Sequence, residues 1–231
     1  FTYEYADGWS NLWEYAYTIN YMLFLLLAIS LANVFSVEYY RKTDAIILCS
    51  KYGKKQLYFS KILAGITFSV VSAVLLFIAT LLSSVFVYGT NGFHAALQLI
   101  FPFSSWNISV GGSILILFFS LIAISVLYGC VIMLLSAILK SNVAVMAVPV
   151  GIMILTMMVD VPYQFRLASQ VYDLLPTNLL NTTELWDDRL ICILGRYFTN
   201  FQIAPFLYLV FAVLLILVGM VIYQRHQVQA R

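Results

Sequence analysis

ILAGITFSVVSAVLLFIATLLSSVFVY (residues 62–88) and GGSILILFFSLIAISVLYGCVIMLLSAIL (residues 111–139) belong to one run, Ile62 to Leu139, that has no Asp, Glu, Lys or Arg in 78 residues. The run is broken near its middle by Gly89-Thr90-Asn91-Gly92. The surface of a water-soluble domain needs charge, whereas an apolar helix of about 20 residues crosses the hydrocarbon core of a bilayer. Helices and closed barrels are the two backbones that satisfy their own hydrogen bonds in lipid. Barrel strands alternate polar and apolar residues; Val70 to Ile78 and Ile114 to Leu127 do not. The sequence therefore predicts an all-α integral membrane protein with two spans joined by a short turn at its centre.

The composition agrees, with 63% hydrophobic and 10% charged residues against about 25% charged in soluble domains. A net charge of +2 gives no support for nucleic-acid binding. Outward from the central pair, five spans are expected, at about Ile19–Val37, Ile62–Tyr88, Gly111–Leu139, Asn142–Val159 and Ile203–Tyr223, within a single transmembrane domain over residues 1–231. Lys and Arg set the orientation, because they concentrate on the cytoplasmic side. Arg41, Lys42, Lys51, Lys54, Lys55, Lys61, Lys140, Arg225 and Arg231 fall on one side, and Arg166, Arg189 and Arg196 on the other. The loop 38–61 and the C-terminus are thus expected in the cytoplasm, and Phe1 outside a cell membrane. Phe1 to Tyr17 is aromatic and acidic and does not form a signal peptide. An external start of this kind predicts one further span upstream, six in the full subunit. Trp9, Trp13, Trp106, Trp186 and Tyr197 are expected at the outer interface, with Tyr39, Tyr40, Tyr52 and Tyr58 at the inner one.

Residues for chemistry are sparse. His94 and His226 are expected on opposite sides, Cys49, Cys130 and Cys192 have no metal spacing, and no phosphate-binding loop ends in Gly-Lys-Ser/Thr. No catalytic, cofactor or metal site is expected, and the chain carries no ATPase motif of its own. Asn33 is the clearest polar side chain inside a span, suited either to an interhelical hydrogen bond or to lining a transport path. Ser125 and Gly129, four apart, allow close helix approach.

Residues 38–61 are too polar to span and too apolar for a solvated linker. Tyr40, Ile47 and Leu48 recur at roughly helical spacing, and Ser50-Lys51-Tyr52-Gly53 reads as a helix stop with Gly53 in the left-handed conformation. One reading is a helix lying on anionic lipid; the other is a docking element with an apolar tip. Glu38, at the membrane boundary, is expected to hold the start of the loop by pairing with a nearby cation or by capping the helix.

This segment resembles the loop after the second span of type-2 ATP-binding-cassette (ABC) permeases. Glu38, Thr43, Ile47 with Leu48, the turn 50–53 containing Gly53, then Lys54 and Lys61 fit that pattern, and the Ser-Lys-Tyr-Gly-Lys turn is similar to Gram-positive members, without the Pro that many others place there. The span order extends the resemblance along the chain, which lacks the family's first span. The resemblance implies a membrane subunit of an ABC exporter. Its loop would be a coupling helix seated on a separate cytoplasmic ATPase that holds the ATP. A second permease copy or a related permease would complete the path. It also implies an outer re-entrant helical segment at 160–202, broken at Leu174-Leu175-Pro176-Thr177-Asn178. The alternatives are a non-transporting scaffold or sensor subunit and, third, a channel.

Overall fold

The computed structural model describes residues 7–41, 55–102, 104–139, 141–159, 161–181, 184–186, 188–193 and 195–225. Its helices, in chain order, are α1 (Asp7–Leu31), α2 (Asn33–Tyr40), α3 (Lys55–Tyr88), α4 (Val110–Ile138), α5 (Asn142–Met158), α6 (Arg166–Asp173) and α7 (Asn200–Arg225). Four stretches are long and apolar enough to cross a membrane: Gly8–Glu38, Lys55–Tyr88, Val110–Ile138 and Asn200–Gln224. This fits a multi-pass membrane protein. At the expected fourth span lies α5, an apolar helix of 17 residues that is not among these four.

α1 and α3 run in opposite directions. At one end Glu38 of α2 meets Lys61 of α3. At the other, Gly8 of α1 lies so close to α3 that a Cβ there would sit 2.5 Å from the Cβ of Tyr88. α3 stops where the sequence breaks: Gly89 has φ 78° and its N–H donates to Val85 O at 2.9 Å, a left-handed helix terminus. α4 begins at the Ser109 cap, whose hydroxyl accepts from Gly112 N at 3.2 Å. α4 is apolar on all faces, as a buried helix should be, and it packs against α1, α2, α3, α5 and α7.

The segment between α5 and α7 is only partly helical. It holds α6, a 3-10 turn at Glu184–Trp186, and a small antiparallel hairpin. The hairpin pairs Ile191 with Phe198 and bends through Gly195 at φ 78°.

Of the aromatic residues expected at the outer interface, three are buried within the protein. Trp9, Trp13 and Trp186 are buried. Trp13 stacks edge-on against Phe101 and Trp186 at 5.4 and 5.5 Å, Trp186 lies 5.5 Å from Phe201, and Phe201 lies 5.0 Å from Trp106. Tyr197 is exposed. At the other end Tyr58 is buried as well. Large aromatic side chains can pack against protein at any level of a bundle.

Candidate functional site

The site is built where α2, α3 and α7 meet, at the two feet of the loop expected to dock a partner. Of the residues singled out in that loop, Thr43, Ile47, Leu48, Gly53 and Lys54 lie outside the described residues. Glu38 and Lys61 are described, and they pair. Lys61 Nζ donates to Glu38 Oε1 and also to Val34 O at 2.6 Å, and it lies 4.8 Å from the centre of the Phe35 ring. Both side chains are mostly buried, at 10% exposure for Glu38 and 20% for Lys61. Of the two roles expected for Glu38, pairing with a cation or capping the helix, the structure has the first, with the cation at the far side of the loop.

The pair is not confined to those two helices. Tyr223 of α7 donates its hydroxyl to Glu38 Oε2 at 3.4 Å. Phe35, Tyr58 and Tyr223 form a three-ring cluster beneath it, with centroids 5.5 to 5.7 Å apart. Tyr58 donates to Ile216 O at 2.8 Å. It reaches α7 because Gly219 is there: a Cβ at that position would lie 2.5 Å from the Tyr58 hydroxyl oxygen. A displacement of Glu38 or Lys61 would therefore be felt by three helices. Removing one member of a buried ion pair strands the other, at a cost of about 3–5 kcal/mol.

One turn deeper, the helix path breaks at Ala32, between α1 and α2. Ser136 of α4 fills the break. Its hydroxyl accepts from Phe35 N at 3.0 Å and Ser36 N at 3.1 Å, and donates to Ala32 O at 2.7 Å. The Ser36 hydroxyl is within hydrogen-bonding reach of Ala32 O at 2.6 Å and of Asn142 Oδ1 at the start of α5. In an apolar setting such a side chain satisfies backbone groups that a break in the helical ladder frees. Thus α2 is a short arm, held at one end by Ser136 and at the other by Lys61.

The remaining candidates separate clearly. Asn33, the first residue of α2, is exposed. Gly129 sits at a close crossing of α3 and α4, where a Cβ would lie 2.3 Å from Ser69 Oγ. The crossing has a counterpart one turn along: a Cβ on Gly65 would lie 2.2 Å from Met133 Sδ. Ser125 is buried, with its hydroxyl turned back to Ile122 O at 2.8 Å. Both positions make packing contacts.

Asn20, which the sequence reading did not single out, is fully buried and donates to Pro176 O at 2.8 Å. Tyr208 of α7 donates to Leu174 O at 2.8 Å. These side chains hold two carbonyls of the break at 174–178. The only sequence signal for Asn20 was a polar residue near the start of a span, which reads as an interface residue.

Among the described residues no cluster of His, Cys, Asp and Glu is placed to hold a metal ion. Comparison with protein-family models, with curated proteins and with solved structures gives no match.

Proposed function

We propose that this chain is the membrane-spanning permease subunit of an ATP-driven ABC exporter, with ATP hydrolysed by a separate cytoplasmic subunit seated on the loop 38–61. In this reading α5 crosses as a fifth span, the Glu38 end of the bundle faces the cytoplasm, and a second permease copy or a related permease completes the transport path. The orientation rests on the distribution of Lys and Arg.

The observation that carries the reading is the Glu38–Lys61 pair with its Tyr223 contact. A loop that merely rests on lipid has no need to be closed at its base by a buried ion pair joined to the last long helix. A loop that delivers force from a partner does, because its movement must reach the spans. Alternating access would follow: nucleotide-driven closure of the ATPase shifts the loop, and the shift passes through Glu38 and Lys61 to α3 and α7. The test is purification of the chain from its native membranes, followed by ATP hydrolysis and substrate flux in liposomes. Hydrolysis and flux that depend on both components support the permease. Hydrolysis without flux favours a sensor, and neither activity favours a scaffold.

A further inference from the structure

We propose that a single water molecule is bound inside the bundle between the Asn20 amide oxygen and the Thr177 hydroxyl, tying α1 to the bend at 174–178. The inference needs nothing from the transport reading.

Asn20 is fully buried, and it lies about 20 Å along α1 from Asp7 at the usual helical rise. One bond fixes its orientation. Pro176 O can only accept, so the group that faces it at 2.8 Å is the Nδ2 amide. Oδ1 then points away, buried and with no partner among the described residues. The Thr177 hydroxyl, on the residue after Pro176, is buried without a described partner as well. The two atoms stand out because the rest of the bend is served. Tyr208 donates to Leu174 O at 2.8 Å, and the N–H groups of Asn178 and Leu179 donate to Leu175 O at 2.9 and 3.0 Å. Asn178 Nδ2 donates to Tyr172 O at 3.2 Å. Buried polar side chains in folded proteins are hydrogen-bonded as a rule.

The occupant follows from the chemistry of these atoms. An amide oxygen only accepts, so the occupant must donate to it; a hydroxyl can do either. The carboxylate nearest along the chain, Asp173, is engaged by Arg189 at 2.7 Å. It is therefore already balanced, and an ammonium or metal cation would gain no counter-charge from it. A small, neutral group that donates twice is water, which takes about two to four polar partners when it is buried in a protein. The Tyr128 hydroxyl of α4 lies beside the Asn20 side chain and is placed to be a third partner.

Two measurements on the full chain test this. A crystal structure from a lipidic mesophase should show a density peak about 2.6–3.2 Å from both Asn20 Oδ1 and Thr177 Oγ1. Thr177→Val exchanges the hydroxyl for a methyl of nearly the same shape. Deleting a hydroxyl that has no partner is neutral or stabilising, whereas deleting one that holds a water leaves that water and Asn20 short of a bond. The proposal predicts a melting temperature a few degrees lower for Thr177→Val, with the unaltered chain melting alike in sodium chloride and choline chloride. A structure with no peak there overturns the proposal, and so does a Thr177→Val protein as stable as the unaltered chain or more so. A melting temperature that falls when choline replaces sodium would mark the occupant as a cation and overturns it too. If Thr177→Val does not fold, the structure and the salt comparison on the unaltered chain decide the question.

Discussion

Glu38 and Lys61, 23 residues apart in sequence, bring the two ends of the intervening loop together in one ion pair, and the Tyr223 hydroxyl bonds to the second carboxylate oxygen. The relationship makes a direct prediction. Glu38→Ala strands a mostly buried ammonium, and Lys61→Met strands a mostly buried carboxylate. Each should lower stability by about 3–5 kcal/mol, read as a fall in melting temperature in detergent. The double replacement Glu38→Gln with Lys61→Met should recover much of the loss, because no buried charge is left unpaired. A double variant no more stable than the worse single variant would show that the pair is not the source of the effect.

Ser136 predicts a second effect of different origin. Ser136→Ala removes the group that serves Phe35 N, Ser36 N and Ala32 O. Leaving a buried polar group unsatisfied costs about 1–3 kcal/mol. A lower melting temperature is expected, together with faster amide hydrogen exchange at residues 35 and 36. Unchanged exchange there would mean that the backbone around the break at Ala32 is satisfied in another way.

Gly129 predicts a loss by crowding. In Gly129→Ala the new methyl meets Ser69 Oγ at 2.3 Å, and overpacking of this kind costs about 1–3 kcal/mol. Adding Ser69→Ala removes the clashing oxygen and should return most of the stability. If the second change gives no recovery, the α3–α4 crossing is not the site of strain.

These three sites mark the limits of what the sequence disclosed. The long spans were legible because their apolar length leaves few alternatives; the central place of α4 was not, because α7 is as apolar on every face and is far less buried. That Glu38 would either pair with a cation or cap the helix was legible from a carboxylate at a membrane boundary. That Lys61 supplies it was not, since the pairing depends on how the loop closes. The break at Ala32 has no Gly or Pro to announce it; a serine 104 residues away hydrogen-bonds to the backbone there. Asn33 drew attention because it lies within a hydrophobic run, yet Asn20 is the buried one. Which side of a helix faces inward is settled by packing, and a uniformly apolar sequence carries little record of it. The hairpin 191–198 is six paired residues in a segment that was read as helical.

Orientation gives a fourth prediction. Thr90 and Ser141 are exposed near opposite ends of the bundle. In intact cells an impermeant thiol reagent should modify Thr90→Cys, and should reach Ser141→Cys only after permeabilisation. Labelling at position 141 from outside would reverse the orientation drawn from Lys and Arg.

The central claim is that the loop between Glu38 and Lys61 docks an ATPase, and one comparison tests it most directly. The full chain and its Ile47→Ala/Leu48→Ala variant are purified from native membranes under identical conditions, and ATP hydrolysis by the eluates is measured in liposomes. Truncating apolar anchors at a protein interface costs on the order of 1–2 kcal/mol or more each, about a tenfold loss of affinity per 1.4 kcal/mol. The account predicts that the unaltered chain brings down an ATPase and that the variant, equally abundant in the membrane, loses most of it along with the hydrolysis. Equal ATPase recovery and equal hydrolysis with both chains, or no ATPase with either, would contradict the account.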